Sequence, residues 1–391
     1  MADSKKILFI ITYLELGGAQ KQLLRLINGL PRDKYDIHLI AGHSGHLLDK
    51  FKAVPGLKIK LIRQLVRRVN PVLDIGAFIK IWQYIRKHKF DIVHTHSPKA
   101  SMTGRWAARL AGAEHIVYTV HGWPFHPYMN PVFYHLGRLC EKVTAVITSK
   151  IIVVSHADLE TGVKKVAGAG KFELIHYGLD TEVYERVYLE RKSARQGEGF
   201  ILNISALKRQ KGLADFFRLV ELMAAEGGKA GFVLVGNGPL QGTVMSRLND
   251  KRFHGRVKFK GWVDDVQALL KRCSVLVLTS LWEGLPVAVI EAVLSGVPVV
   301  VTDTGGVRDI VADGVNGKIV RRHDARGMYD AVREIIGNYD EWSAKIVRYW
   351  DNLNLSYWSQ ERMVRQVEAL YGSLLSRESP TTGRRPAGRK S

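Results

Sequence analysis

The stretch Leu276–Ile310, LVLTSLWEGLPVAVIEAVLSGVPVVVTDTGGVRDI, alternates apolar runs with turns that contain glycine and proline. Its first apolar run predicts a short strand. Gly284 and Pro286 then precede a helix, because proline is tolerated where a helix begins, and Gly296 stands where that helix ends. The valine-rich run Val297–Val301 predicts a buried parallel strand. Two strands and a helix within 35 residues indicate an open α/β sheet, which binds ligands at the carboxyl ends of its strands.

Two carboxylates flank the predicted helix, Glu283 before it and Glu291 within it. A spacing of eight residues is a little over two helical turns, so both side chains can face one side. The N–H groups at a helix N-terminus bind phosphate, whereas carboxylates accept hydrogen bonds from sugar hydroxyls. The pair therefore suits a sugar nucleotide. Pattern alone leaves a second interpretation equally open, in which Glu283 is a first-turn residue and Glu291 a solvated one.

The stretch resembles the E-x7-E signature of the retaining glycosyltransferases of family 4. It is matched by EGLPVAVIE at 283–291, GVP at 296–298 and TGG at 304–306. The resemblance implies a GT-B fold, in which two doubly wound Rossmann-like domains face each other across a cleft. It implies that Glu291 holds the donor ribose and that Glu283 lies beside the transferred sugar. The backbone between them then contacts sugar and phosphate, so Gly284, Leu285 and Pro286 are candidate donor-binding residues.

The composition describes a strongly basic chain of 391 residues, with a formal net charge of +21. This length is enough for two domains, and the charge predicts an anionic partner such as nucleic acid, an acidic membrane or a phosphorylated substrate. The two cysteines, Cys140 and Cys273, both lie in segments that read as helix and lack metal-site spacing. With no signal peptide and no apolar run of about 20 residues, these features predict a cytoplasmic protein with reduced thiols.

Four segments are predicted along the chain. Residues 1–185 form an N-terminal, acceptor-side domain, and residues 186–199 form a linker because they are charged and lack apolar periodicity. Residues 200–376 form the nucleotide-sugar donor domain, with a C-terminal helix that the resemblance implies crosses back to the first domain. Residues 377–391 form a basic tail that we expect to be disordered.

Glycine turns follow predicted strands in both domains. Gly17 and Gly18 join a strand to a helix, an arrangement that lets backbone N–H groups approach an anion. Gly238 belongs to a G-x-G-x-x-x-G run that is one spacer too long for the dinucleotide fingerprint. An NAD-dependent oxidoreductase is therefore the weakest alternative. The resemblance places all three glycines near the donor, or the first pair beside the acceptor.

A basic segment, ALKRQKG at 206–212, follows the first strand of the donor domain. The family has Arg-Leu…Lys-Gly here, and its Arg and Lys bind the donor diphosphate. Lys211 matches the family's lysine, but Ala206 stands at the arginine position, so either Lys208 or Arg209 takes over or the diphosphate is held differently. Two cations stabilise a departing diphosphate without a metal. We find no D-x-D pair, and neither a metal nor a cofactor is implied.

Histidines end two predicted strands of the first domain. His121 follows the strand Ile116–Val120, and Thr-Val-His-Gly at 119–122 resembles the family's cleft histidine, which contacts the donor sugar. The resemblance therefore makes His121 a catalytic candidate beside Glu283, although a lone histidine is more often structural. His94 and His96 have no third ligand nearby in sequence and are read as site-lining or hydrogen-bonded structural residues.

The segment Lys58–Lys89 carries nine lysines or arginines and one acid, a net charge of +8. Its apolar residues are interspersed with these charges, so it could rest on anionic lipid headgroups. The alternative is a solvated helix that packs on the sheet.

Together these features predict a metal-independent retaining glycosyltransferase with a nucleotide-sugar donor, UDP-linked on family frequency. Its acceptor is expected to be lipid-linked or a glycan, in polysaccharide or cell-envelope glycan synthesis at the inner face of the membrane. A soluble acceptor is one alternative. A basic nucleic-acid-binding protein is another, but the sequence has no helix-turn-helix, zinc or RNA-sheet motif, so no nucleic acid is expected as a partner.

Overall fold

The computed structural model describes residues 4–193, 199–228 and 230–376. They form two α/β units, each built on a parallel sheet. The strands of the first unit are β1 (Lys5–Ile10), β2 (Tyr35–Ala41), β3 (Lys58–Leu61), β4 (Ile92–His96), β5 (His115–Val120), β6 (Lys150–Val153) and β7 (Phe172–Leu174). They lie side by side in the order β3-β2-β1-β4-β5-β6-β7.

The second unit has a six-stranded sheet. Its strands are β8 (Phe200–Ile204), β9 (Phe232–Val235), β10 (Val257–Phe259), β11 (Cys273–Leu278), β12 (Val299–Thr302) and β13 (Gly317–Val320). They lie in the order β10-β9-β8-β11-β12-β13. The predicted doubly wound α/β class is confirmed, and the strand order reverses between β1 and β4 and again between β8 and β11. Such switch points open the crevices in which doubly wound sheets bind ligands.

Helices connect the parallel strands. In the first unit they are α1 (Gly18–Gly29), α2 (Leu48–Lys52), α3 (Pro71–His88), α4 (Pro98–Leu110), α5 (Pro131–Val146) and α6 (His156–Lys165). Then follow α7 (Thr181–Ser193), α8 (Leu213–Ala225), α9 (Gln241–Leu248), α10 (Gln267–Leu270), α11 (Val287–Leu294), α12 (Ala325–Gly337), α13 (Tyr339–Asp351) and α14 (Gln360–Leu375).

Both faces of each sheet are buried, which explains why the central strands are apolar without interruption. In β1, Ile7 and Phe9 pack with α1 and α14 in one core, whereas Leu8 and Ile10 pack with α3 and α4 in another. The second sheet alternates in the same way along β11.

The C-terminal helix α14 packs on the first unit although it follows the second in sequence. Met363, Val364, Val367 and Leu370 lie in one core with residues of α1. Tyr371 reaches further and meets the buried ring of His94 at 2.6 Å. The chain therefore ends its described part on the unit in which it began.

Three sequence expectations concern segments that the fold places differently or does not describe. Residues 186–193 of the predicted linker are helical and form the second half of α7, in which Tyr184 and Val187 face the core of the second unit. Cys273 begins strand β11 and is not helical, whereas Cys140 lies in α5 as predicted. The predicted disordered tail, 377–391, lies outside the described residues. Among the described helices, none has the length and apolar character needed to span a membrane.

Candidate active site between the two units

The loops that follow β5 and β11 touch where the two units meet. A Cβ atom added to Gly284 would lie 2.7 Å from the carbonyl oxygen of His121 and 2.8 Å from the backbone nitrogen of Gly122. Real Cβ atoms essentially never come this close to backbone, so only glycine allows the two loops this approach. The contact brings the E-x7-E stretch of the second unit against the first.

The turn of Gly305 and Gly306 supports the same loop from behind. Gly305 has φ of +51°, and a Cβ atom there would lie 2.0 Å from the carbonyl oxygen of Glu283. Gly306 donates its backbone N–H to the carbonyl oxygen of Gly284 at 2.7 Å. The two glycines of the TGG motif therefore fix the backbone that carries Glu283.

Two helix N-termini face each other across the boundary. Helix α1 begins after Gly17 and α11 begins after Pro286, and neither capping residue offers a side-chain hydrogen bond. A Cβ atom added to Gly18 would lie 3.1 Å from Val287 Cγ2, so the two ends are in contact distance. Free N–H groups at both ends favour an anion between them. Leu285 is buried beside Pro286 and can offer only its backbone.

Glu283 is the centre of a polar cluster. Its carboxylate accepts from Lys211 Nζ at 2.5 Å, from Ser280 Oγ at 2.6 Å and from Gln210 Nε2 at 3.4 Å. The side chains of Lys211 and Glu283 are only 15% and 8% exposed, so water screens the pair little. Glu283 therefore holds in place a cation that the sequence assigned to the diphosphate.

Of the two candidates for the missing family arginine, Lys208 lies nearer to the Glu283 cluster than the exposed Arg209, and which of them takes the arginine's role stays a prediction. Lys208 is half-buried, and burial together with the charge of Lys211 lowers its pKa from 10.5 to about 8. Glu283 opposes this shift, and Arg67 of the first unit adds to it. Arg209 is exposed. Its charge adds to the effect of burial in lowering the pKa of His126.

Glu291 is buried, 5% exposed, and accepts from Tyr184 Oη at 2.9 Å. Burial raises the pKa of its carboxyl group, whereas Lys21 of α1 counteracts that rise, as does Tyr184. Lys21 Nζ lies 5.0 Å from the centre of the Trp262 ring, which belongs to the second unit. Burial lowers the pKa of Lys21 in turn, against the attraction of Glu291.

Sequence reasoning missed Lys21, although a signal existed. It lies three residues after Gly18 on α1, so both share the helix face that meets the second unit.

Trp282, in the loop after β11, was also missed by sequence reasoning. The ring of His126 stacks on it with centroids 3.8 Å apart and an angle of 15°. The ring of Tyr128 also stacks on Trp282, with centroids 5.5 Å apart. His126 and Tyr128 belong to the first unit and Trp282 to the second, so these rings connect the two units next to Glu283.

His121 lies at the contact between the loops, but both of its ring nitrogens are already hydrogen-bonded. Nδ1 meets Tyr177 Oη at 2.8 Å, and Nε2 meets His96 Nδ1 at 3.0 Å. Burial lowers the pKa of His121 to about 3, so the ring is neutral at physiological pH. To contact a donor sugar, it has to exchange one of these partners for a sugar hydroxyl.

His94 is confirmed as a hydrogen-bonded structural residue. Its Nδ1 meets Tyr371 Oη at 2.6 Å, and its Nε2 meets Thr119 Oγ1 at 2.7 Å. Burial lowers the pKa of His94 to about 3. The ring therefore joins α14 to the strand end that precedes His121.

Gly238 packs against the loop that carries Lys208 and Lys211. A Cβ atom added to Gly238 would lie 2.6 Å from the carbonyl oxygen of Leu207, the residue before Lys208. Leu207 also donates its N–H to the carbonyl oxygen of Asn237 at 2.9 Å. In this structure the turn of Gly238 positions the cation loop, and its direct contact with a donor stays a prediction.

Among the described residues, His156, His176 and Asp309 form a group whose potential metal-ligand atoms all lie within 4.8 Å of one another. Asp309 Oδ2 lies 2.9 Å from His176 Nε2 and accepts the backbone N–H of His156 at 2.8 Å. His176 Nδ1 meets Tyr357 Oη at 2.9 Å. These hydrogen bonds join the two units, because His156 and His176 belong to the first and Asp309 to the second.

Two family models match this chain. The model described as Glycosyltransferase Family 4 covers residues 16–183, and the model described as Glycosyl transferases group 1 covers residues 198–338. A galactosyltransferase of Escherichia coli, named UDP-Gal:alpha-D-GlcNAc-diphosphoundecaprenol alpha-1,3-galactosyltransferase, is 28% identical over 81% of this chain and 84% of its own length. The N-acetyl-alpha-D-glucosaminyl L-malate synthase of Bacillus anthracis is 23% identical over 94% and 96%.

Solved structures share the fold. HepE from Anabaena, in complex with UDP and glucose, superposes with a TM-score of 0.77 at 19% identity, over 94% of this chain and all of the other. Sucrose-phosphate synthase from Thermosynechococcus elongatus gives 0.77 at 18% identity, over 95% and 99%. The chain is thus an enzyme of the glycosyltransferase class and belongs to glycosyltransferase family 4, with the GT-B fold.

Proposed function

We propose that this glycosyltransferase moves a sugar, with retention, from a UDP-linked donor to a lipid-linked or glycan acceptor in polysaccharide or cell-envelope glycan synthesis. The observation that carries the proposal is the meeting of two cations, two carboxylates and two uncapped helix N-termini at the boundary of the units. A nucleotide sugar presents hydroxyl groups at both ends and a diphosphate between them. Its hydroxyl groups suit the carboxylates, and its diphosphate suits the cations and the helix N-termini.

The donor is placed by its charges. Its diphosphate lies against Lys211 and Lys208 and against the N-termini of α1 and α11, since these groups supply positive potential. Its ribose hydroxyls donate to Glu291. Gly17 and Gly18 let the backbone of α1 approach the diphosphate because neither glycine has a side chain to block it.

The same groups support the chemistry. As the bond between sugar and phosphate breaks, negative charge grows on the diphosphate, and Lys211 and Lys208 stabilise it in a site with little water. Glu283 lies beside the transferred sugar and can accept from its hydroxyls. The acceptor hydroxyl enters on the face from which the diphosphate leaves and gives its proton to the departing phosphate oxygen. Attack from this face retains the configuration, so no carboxylate nucleophile is required.

The acceptor and the membrane are inferred from the relatives and from charge. The Escherichia coli relative is named for a sugar held on diphosphoundecaprenol, a lipid carrier. In this chain, β3 and α3 carry the basic stretch Lys58–Lys89 on an exposed surface of the first unit. We propose that this stretch rests on anionic lipid, where each basic residue contributes roughly 1 kcal/mol.

A soluble acceptor is the second candidate within the same class. The Bacillus anthracis relative is named for L-malate, a small water-soluble acid, and this chain matches nearly all of that protein. The two candidates share the donor and differ only in what enters the first unit's side of the cleft.

Titration calorimetry tests the donor first. UDP, GDP and ADP are titrated into the wild type and into Glu291→Ala, and UDP is expected to bind. The variant should bind it more weakly by about 1–3 kcal/mol, as for a lost hydrogen bond to a charged group. Binding of GDP or ADP instead, or an unchanged affinity in the variant, would contradict the donor assignment.

Transfer assays then separate the acceptors. Radiolabelled UDP-galactose, UDP-glucose and UDP-N-acetylglucosamine are offered with a polyprenyl-diphosphate sugar in vesicles, or with L-malate in solution. Labelled product in the lipid phase supports the proposal. Product formed only with malate supports the second candidate and contradicts the first.

A further inference from the structure

Helix α5 has its apolar and polar faces reversed relative to an ordinary surface helix. Its buried residues are Glu141, Thr144 and Ala145. Its exposed side carries large apolar side chains that are between 48 and 77% exposed: Val132, Phe133, Leu136, Leu139, Val143 and Val146. A soluble protein normally places these side chains in its core, and a contiguous exposed group of them marks an interaction surface.

The exposed apolar residues form one stripe. Positions 132, 136, 139, 143 and 146 are spaced alternately by four and three residues, so they lie along a single side of the helix. A helix of 16 residues is about 24 Å long, and the stripe runs along nearly all of it. We call this surface the α5 stripe.

Polar contacts beneath the helix hold the stripe outward. Arg105 of α4 donates to Glu141 at 2.7 Å, and both side chains are at most 2% exposed. Trp106 donates its indole N–H to Thr144 Oγ1 at 3.2 Å. Rotating α5 to bury the stripe would leave the guanidinium of Arg105 buried without its carboxylate, which is strongly unfavourable.

The two exposed charged residues of α5 are both positive. Arg138 and Lys142 are exposed along one edge of the stripe. Glu141, the one acidic residue of the helix, is buried and forms an ion pair with Arg105. On the other side of α4 lies α3, which contacts α4 as α5 does. It exposes Val72, Ile75 and Ile79 within the basic stretch Lys58–Lys89.

We infer that the α5 stripe inserts into the surface of an anionic lipid bilayer, with Arg138 and Lys142 at the headgroups. An apolar side edged by basic residues is the pattern of helices that lie in the interface of a membrane. A second copy of the chain is a poorer occupant, because pairing two stripes would bring like charges together. The inference deepens the proposed function, since it gives an enzyme with a lipid-linked acceptor a second membrane contact besides the Lys58–Lys89 stretch.

Vesicle flotation tests the inference. The full-length wild type and Leu136→Ser/Leu139→Ser are mixed with vesicles of 30% phosphatidylglycerol in phosphatidylcholine, with pure phosphatidylcholine in parallel. Each serine is expected to lower partitioning by about tenfold, and the pair by about a hundredfold. The matched control is Leu189→Ser/Met245→Ser, because these side chains are 52 and 45% exposed on the second unit. It should bind vesicles within twofold of the wild type.

Other outcomes overturn the inference. If the double serine variant floats like the wild type, the stripe does not insert. If the wild type is a dimer by light scattering without lipid and the variant a monomer, the stripe is a self-association surface. Arg138→Ala/Lys142→Ala should keep binding but lose about thirtyfold of its preference for anionic over neutral vesicles. An unchanged preference would contradict the charged part of the inference.

Failure here is separable from failure of the proposed function. The stripe lies outside the donor site, so Leu136→Ser/Leu139→Ser should retain UDP affinity, its thermal unfolding temperature and transfer to a water-soluble acceptor, and lose transfer only to acceptor embedded in vesicles. A wild type that floats but binds no UDP would refute the proposed function and leave the inference intact. A wild type that binds UDP but does not float would refute the inference and leave the proposed function intact.

Discussion

Lys208 should make donor binding depend on pH between 7 and 9. The side chain is half-buried on the loop after β8, and burial and the charge of Lys211 lower its pKa to about 8. The other charges that act on it are Glu283, which raises this pKa, and Arg67, which lowers it. A bound diphosphate places new negative charge beside Lys208, so binding favours the protonated form.

The magnitude follows from the titration. With a pKa of about 8, about nine-tenths of the free enzyme carries a proton on Lys208 at pH 7 and about one-tenth at pH 9. If UDP binds the protonated form, its affinity falls by about tenfold over these two pH units. Lys208→Arg keeps its charge throughout, so it should lose this part of the pH dependence.

Stability gives a second readout with a definite sign. The pKa of Lys208 is lower in the folded protein, about 8, than the ordinary 10.5, so folding disfavours its charged form. The cost is fully present below pH 8 and disappears as the pH rises towards 10.5. Lys208→Met should therefore raise the free energy of unfolding at pH 7 by about 2–3 kcal/mol, while it weakens UDP binding.

Calorimetric titration of UDP at pH 7, 8 and 9 and fixed ionic strength measures the effect in the wild type and Lys208→Arg. The arginine variant also reports whatever else titrates in UDP or the protein. Arg209→Ala serves as a control, because Arg209 is exposed, and should change the affinity less than threefold. Parallel pH profiles for the wild type and Lys208→Arg would refute the assignment of Lys208 to the diphosphate.

Three further predictions concern the loop and its supports. Glu283→Gln frees Lys211, so UDP affinity should stay equal or rise while transfer falls at least about 100-fold; an equal loss in calorimetry and in the transfer assay would contradict this. Tyr371→Phe removes the 2.6 Å partner of buried His94 and should cost about 1–3 kcal/mol in urea unfolding; a cost below about 0.5 kcal/mol would show that the bond contributes little. Gly284→Ala should lower transfer at least tenfold, because its Cβ would meet backbone at 2.7 Å, whereas Gly242→Ala, which meets nothing within 4 Å, should retain it.

The fold was largely predictable because its signals are local. The run from Leu276 to Ile310 encodes β11, α11 and β12 in order, and the observed helix Val287–Leu294 begins directly after Pro286. The helical part of the predicted linker, 186–193, shows where local signals end. Most residues of α7 are charged or polar, so the few that pack on the second unit, such as Tyr184 and Val187, produce no clear apolar pattern in the sequence. Those contacts come from residues far along the chain, and no period in the sequence reveals them.

The sequence named the candidate site residues one by one, but not the hydrogen bonds that join them. The family motifs predict that Glu283 and Lys211 lie near one donor, and only the fold shows that they pair with each other at 2.5 Å. Likewise, the sequence left Lys208 and Arg209 as equal replacements for the family arginine. Their different burial depends on how the loop turns against Gly238, which is a tertiary property.

The pairing of charges in the cleft explains how two carboxylates can lie there before a donor binds. Glu283 is held by Lys211, and the carboxylate of Glu291 is opposed by Lys21 from the other unit. A nucleotide sugar offers each member a new partner, since its hydroxyls suit the carboxylates and its diphosphate suits the cations. Neither kind of charge is then left buried alone in the free or in the bound protein, which would be strongly unfavourable. Because Lys21 and Glu291 belong to different units, the proposed exchange couples donor binding to the contact between the units.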